Sequence, residues 1–303
     1  MQTSDFCVIS SVVAQTQQVG LIANSKAGQG FGTKELERLF SAQGITAQTY
    51  DAPDPVKAAR LAVDDGMTMV IAAGGDGTIS AVASVLAGTQ VALGIVPTGT
   101  LNHLAKDLKI PLALEEAIGI ISRRKTERVD VAEVNGRVFV NNSSLGVYPS
   151  MVMLRSDEES RGWNRWFALV RAMASAVRNF PLLDVRLTAG GVTVERRTPL
   201  LFVGNNEYEL EGLNLGTRTT LKGGQLFVAV AHAMSGFGLF RLFVRALFGK
   251  LRQSDELEEF PATEAFVEVR RGMVRISTDG EAMWMKPPLH YRIRPQQLCV
   301  IVP

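Results

Sequence analysis

Hydrophobic positions change their spacing partway along this chain. In the first part, short unbroken apolar runs alternate with helix-spaced ones. Val19–Ala23, Met69–Ala73 and Val91–Val96 read as strands buried on both faces of a parallel sheet, and Ile45–Tyr50 as a further strand. Between them, apolar residues recur at helical spacing: Leu36, Leu39 and Phe40; Val56, Ala59 and Ala62–Val63 within Pro55–Asp64; Ile79, Val82, Ala83, Val85 and Leu86. Strand and helix in alternation predict an α/β domain with a mostly parallel sheet. After Arg123-Arg124-Lys125 the texture becomes that of short strands. Glu127–Val134 and Arg137–Asn141 flank Asn135-Gly136, a strong hairpin signal. Val185–Thr188, Val192–Arg196, Leu200–Val203, Leu226–Ala231, Ala265–Val269 and Met273–Thr278 follow, with turns at Gly190-Gly191 and Arg271-Gly272. The expected organisation is an α/β domain over 1–127 and an antiparallel β domain over 128–303, whose last strand has the option of returning to the first domain.

Three strand ends in the first domain run into small-residue loops. The first is Asn24-Ser25-Lys26-Ala27-Gly28-Gln29-Gly30, in which Lys26 supplies a cation. It lacks the GxxxxGK[ST] spacing of a Walker loop. The second is Gly74-Gly75-Asp76-Gly77-Thr78, and the third Pro97-Thr98-Gly99-Thr100-Leu101-Asn102-His103-Leu104-Ala105. Glycine lets another molecule approach the main chain, and the first N–H groups of a following helix attract anions. In a parallel sheet such loops converge at the carboxyl ends of the strands. The pattern points to a nucleotide-type ligand. Asp76 either only caps the helix or faces the phosphates through a metal ion, a water or a sugar hydroxyl. Asn102 is a ligand or a cap, and His103 a base or a structural residue.

Composition narrows the picture. The chain has 303 residues, enough for two domains, and a net charge of +2 that does not suggest a nucleic-acid binder. Cys7 and Cys299 form neither a disulfide framework nor a zinc pattern, so a cytoplasmic setting is expected. No signal peptide and no long charge-free apolar stretch is read. Gly162–Phe180 and Gly238–Arg252 are amphipathic, aromatic and arginine-rich. They either lie on a membrane surface, at its inner face, or pack on the β domain with their arginines in water. Asp279-Gly280-Glu281 closes a strand. Its acids are those of an exposed hairpin, or they serve as proton acceptors or magnesium ligands.

GGDGT at Gly74–Thr78, PTGTLNHLA at Pro97–Ala105, the opening NSKAGQG and the late DGE together resemble the diacylglycerol kinase catalytic family, which includes bacterial diacylglycerol kinases and the related sphingosine and ceramide kinases. GGDGT alone also occurs in NAD kinases and phosphofructokinases; the combination is specific to lipid kinases. The resemblance covers essentially the whole chain. It implies an NAD-kinase/phosphofructokinase-like first domain, a C-terminal β-sandwich, and an active site in the cleft between the domains. It implies ATP and Mg²⁺ as cofactors and phosphoryl transfer to a lipid hydroxyl. Asn24, Lys26, Gly74, Gly75, Asp76, Gly77, Thr78, Gly99, Thr100 and Asn102 would bind the nucleotide, with Asp76 on the metal. Glu281 would be the base, assisted by Asp279, with Asp76 completing the catalytic set. A peripheral membrane contact fits this; the oligomeric state and the lipid are left open. There are departures. Asn102-His103 replaces the usual Asn-Asp, and Ser80-Ala81 the usual Asn-Glu. In Lys222–Phe227, Gly223 and Phe227 stand where acids for a structural magnesium are expected, so loss of that site is predicted. Two rivals remain: a non-catalytic membrane- or nucleotide-binding protein on this scaffold, and an NAD kinase using Asn205-Asn206-Glu207.

Overall fold

The computed structural model describes residues 19–23, 32–51, 54–146, 182–209, 217–232 and 257–303. Two compact units emerge: Met1–Val131 with Pro295–Pro303, and Ala132–Arg294.

The first unit alternates strand and helix: β1 (Val19–Ala23), α1 (Thr33–Ala42), β2 (Ala47–Thr49), α2 (Pro55–Asp64), β3 (Met69–Gly74), α3 (Asp76–Leu86), β4 (Ala92–Pro97), α4 (His103–Asp107) and α5 (Leu114–Arg123). The strand order is β2-β1-β3-β4, and every pairing is parallel. All residues of β3 and β4 are buried, which is why their sequences are unbroken apolar runs. β2 lies at the sheet edge and is shorter than Ile45–Tyr50. The expected α2 is observed at its expected limits. Asp54 caps it by accepting from the Val56 N–H (2.9 Å), with Pro55 in the first turn. Leu21, Leu36, Phe40, Ile71, Val96, Ile118 and Ile121 share one core with Ile301 from the chain's last strand. That strand pairs parallel to β4, Val300 opposite Leu93.

In the second unit the strands are antiparallel. β5 (Thr126–Val134) enters it and β16 (Leu289–Ile301) leaves it. Between them come β6 (Arg137–Phe139), β7 (Asn142–Gly146), β8 (Leu183–Ala189), β9 (Val192–Thr198), β10 (Leu200–Asn205), β11 (Leu226–Ala231), β12 (Leu257–Ala262), β13 (Glu264–Val269), β14 (Val274–Thr278) and β15 (Glu281–Met285). One sheet has the order β12-β11-β10-β7-β14-β15; in the other, β16, β13, β8 and β9 lie side by side and β5 carries β6 as a hairpin. Leu145, Val203, Val228 and Ile276 of the first sheet form one core with Val185, Leu187, Val267 and Tyr291 of the second, which makes a β-sandwich. Asn135 and Gly136 both have positive φ, as the two-residue turn signal requires. Sequence reading misses β7, β12 and β15. β7 is Asn-Ser-Ser-Leu-Gly, too polar to read as a buried strand. β12 carries Pro261 and β15 an exposed Trp284, both tolerated because these strands are sheet edges.

Candidate functional site

β3 and β4 pair with Gly74 opposite Pro97, so their carboxyl ends deliver the two glycine-bearing loops side by side. The Thr98 N–H donates to the Gly74 carbonyl (3.1 Å). Beyond that bond the loops meet glycine to glycine. A Cβ on Gly99 would lie 2.5 Å from the Gly75 Cα and 2.9 Å from Asn102 Oδ1. Close backbone approach therefore requires glycine at Gly99, with no left-handed angle involved, whereas a Cβ on Gly75 would meet the Gly99 Cα at an ordinary 3.4 Å. Gly77 is different: among the described residues nothing lies within 4 Å of a Cβ built there, and the residue is exposed. It sits in the first turn of α3, whose N-cap residue, Gly75, provides no side-chain cap. An uncapped first turn beside open space is room for an anion. Thr78 is buried and Thr100 exposed. Ser80, in the next turn of α3, is buried, with no partner for its Oγ among the described residues.

Asp76 joins the loops. Its Oδ2 accepts from the Asn102 N–H (2.8 Å) and its Oδ1 from the His103 N–H (2.6 Å). The helix it caps is therefore α4, reached across the sheet end, rather than its own. Asn102 does not cap α4 with its side chain. It is buried in a left-handed conformation (φ 51°), and its amide turns back to Gly99, accepting from that N–H (3.1 Å) and donating to that carbonyl (2.9 Å). His103 exposes its side chain and commits its N–H to Asp76. Each Asp76 oxygen retains acceptor capacity, since a carboxylate oxygen has two lone pairs.

In the second unit, Asp279-Gly280 forms the β14–β15 turn, with φ of 49° and 84° and Thr278 opposite Glu281. This is the type I′ geometry that Asp-Gly favours. The Asp279 carboxylate accepts three main-chain N–H bonds, from Val140 (2.9 Å), Asn141 (2.8 Å) and Asn142 (3.2 Å). Its own N–H donates to the Asn142 carbonyl (2.8 Å). Asp279 is thus engaged in fixing the turn. Glu281 is exposed, its Oε2 2.8 Å from Arg137 Nη2. A proton acceptor must be reachable; Glu281 is exposed, whereas Asp279 is half-buried with its carboxylate already accepting main-chain N–H groups.

Residues 18–134 match the family model for the diacylglycerol kinase catalytic domain, and residues 154–302 that for the YegS C-terminal NAD kinase beta sandwich-like domain. The chain belongs to the diacylglycerol-kinase-type lipid kinase family. A protein named "Probable lipid kinase YegS-like" from Xanthomonas euvesicatoria pv. vesicatoria (strain 85-10) is 25% identical over 285 residues, covering 90% of this chain and 91% of the relative. "Probable lipid kinase YegS" of Escherichia coli O127:H6 is 32% identical over 146 residues, 46% of this chain and 49% of the relative. Among solved structures, a diacylglycerol kinase from Bacillus anthracis str. Sterne aligns with TM-score 0.68 at 20% identity, covering 95% of this chain and 97% of that one. Yeast NADH kinase complexed with NADH aligns with TM-score 0.53 at 13% identity, covering 94% and 83%. At these identities the solved structures speak for the fold alone.

Other residues singled out for this lipid kinase family member divide in two. Asn24, Lys26 and the segments 162–180 and 238–252 lie outside the described residues, apart from which every nucleotide candidate belongs to the β3–α3 or β4–α4 connection. Asn205 and Asn206, the sequence-level suggestion for an NAD site, are buried and used internally: Asn205 Nδ2 donates to the Val140 carbonyl (2.9 Å) and Asn206 Nδ2 to Asn205 Oδ1 (3.2 Å). Phe227 is buried against Phe202 and Tyr208. A Cβ on Gly223 would lie 2.8 Å from Asn206 Oδ1, which is buried with no partner among the described residues. Among the described residues, no three His, Cys, Asp or Glu side chains are grouped to hold a metal ion, and no helix is long and apolar enough to cross a membrane. Sequence reading missed Arg218, a buried cation behind the Asp279 turn. An arginine in a polar loop carries no signal of burial.

Proposed function

We propose that this lipid kinase family member transfers the γ-phosphoryl group of Mg-ATP to a hydroxyl of a lipid such as a diacylglycerol or a sphingoid-type lipid. The observation that carries the proposal is the paired loop construction at the ends of β3 and β4, clasped by Asp76 with the open Gly77 peptide beside it. Such chemistry asks for positioning and charge neutralisation more than for covalent participation. The main chain of Gly74–Thr78 and the exposed Thr100 orient the phosphates. Asp76 holds the magnesium, directly or through water, on the lone pairs its two N–H bonds leave. The ion, when bound, neutralises phosphate charge. Glu281 takes the proton of the acceptor hydroxyl, and Asp279 holds the turn from which it projects. The arginine-rich stretches 162–180 and 238–252 support a peripheral contact with an anionic membrane surface, which sedimentation with anionic liposomes across salt concentrations checks.

The test is γ-labelled ATP with a panel of lipids in detergent micelles and NAD as a control. Label on a lipid supports the proposal. Label on NAD alone assigns the nucleotide kinase activity instead, and no label anywhere makes the protein a binding module on a kinase scaffold.

A further inference from the structure

Arg218 is 7% exposed, and its guanidinium bonds two main-chain carbonyls and one side-chain amide oxygen. Nη1 donates to the Val140 carbonyl and, at 3.4 Å, to that of Asn205; Nη2 donates to Asn141 Oδ1 at 3.0 Å. The guanidinium carbon lies 5.9 Å from the Tyr208 ring centroid. The Val140 carbonyl and the Asn141 N–H belong to the same peptide group, and that N–H donates to Asp279 Oδ1 at 2.8 Å. A guanidinium and a carboxylate are therefore linked through a single peptide unit. Its oxygen faces the cation and its N–H faces the anion. In a low-dielectric setting each bond in such a chain polarises the next, so the link is stronger than its members taken singly. Flanking bonds tie the stretch further: Asn205 Nδ2 to the Val140 carbonyl (2.9 Å), and the Tyr208 hydroxyl to the Asn141 carbonyl (3.0 Å).

We propose that Arg218 is a positioning residue for Glu281. It fixes the 140–141 peptide; the peptide fixes Asp279; and Asp279 holds the left-handed turn whose exit residue is Glu281. The proposal rests on the role of Glu281 as proton acceptor given above. Arginine is needed because its planar fork reaches a carbonyl and an amide oxygen together. Lysine supplies the charge without the fork, and methionine supplies only the volume.

The full chain, R218M and R218K are compared by residue-resolved amide exchange and by steady-state kinetics in the lipid assay. In R218M the amides of Val140, Asn141 and Asn142 exchange roughly 10–100-fold faster, as expected on losing a charged hydrogen bond. Its kcat falls about tenfold while KM for ATP stays within about twofold, the mark of a misplaced base rather than a damaged nucleotide site. R218K recovers part of both effects. Folded R218M with wild-type exchange at these amides overturns the proposal, as does a raised KM for ATP with unchanged kcat. Should R218M not fold, R218K is judged by the same two readouts. If the wild type labels no lipid, the kinase reading fails on its own account, and the exchange measurement still decides whether Arg218 holds the turn.

Discussion

Replacing Asp76 by asparagine separates two roles that a ligand-binding assay alone would confuse. The carboxylate accepts the Asn102 and His103 N–H groups at 2.8 and 2.6 Å. Asparagine keeps one acceptor oxygen and presents an NH₂ group to the other N–H, donor against donor. Charge-assisted bonds of this kind are worth about 1.5–3 kcal/mol each. The second is exposed, where water substitutes, so the expected net loss is about 1–2 kcal/mol. In a domain of this size that lowers the unfolding midpoint by roughly 2–8 °C. The measurement is thermal unfolding of D76N and wild type in EDTA without nucleotide, with amide exchange at residues 102 and 103 as the local readout. Loss of a clasp weakens the protein with no metal present. A pure metal ligand leaves metal-free stability untouched, so equal midpoints in EDTA and unchanged exchange would refute the clasp. Mg-ATP titrations of the same pair then report the metal role separately.

The Glu281→Gln variant should retain ATP binding and lose about 10²–10⁴-fold in lipid phosphorylation; turnover near wild type removes Glu281 from the mechanism. Two glycine variants should part company. Gly99→Ala drives a Cβ toward the Gly75 Cα, backbone against backbone, and should cost about 1–3 kcal/mol in urea unfolding. Gly77→Ala meets nothing among the described residues and should fold normally, yet raise KM for ATP if phosphate approaches that peptide; unchanged KM argues that it does not. Burial first, and the 2.8 Å bond to Asp65 second, push the Tyr50 hydroxyl up to about 12 from its usual 10.0. Because the folded state favours the protonated phenol, this contribution is complete below pH 10 and is lost as pH rises toward 12. Wild type should therefore be more stable than Tyr50→Phe at pH 9, and the difference should shrink or reverse by pH 11.5; a pH-independent difference contradicts the assignment.

Much of the fold was legible because it is written locally. Met69–Ala73 and Leu226–Ala231 announce buried strands by unbroken apolar runs, and Asn135-Gly136 announces its hairpin by the angles those residues tolerate. The candidate loops were legible for the same reason: strand, glycines and helix follow one another in sequence. The edge strands β12 and β15 were not, since proline and exposed aromatics at an edge break the period on which strand reading depends.

The sequence by itself determined the two textures, the Asn135-Gly136 hairpin and the residues that form the glycine loops, because each depends on neighbours a few positions apart. Only the tertiary structure decided what those residues touch. Asp76 caps a helix that begins 27 residues later, Asp279 holds main chain 138 positions upstream, and Arg218 grips that same stretch from 78 positions away. Hydrogen bonds of a carboxylate or a guanidinium go to whichever main-chain groups the sheets bring within about 3 Å, and no spacing in the chain records that choice.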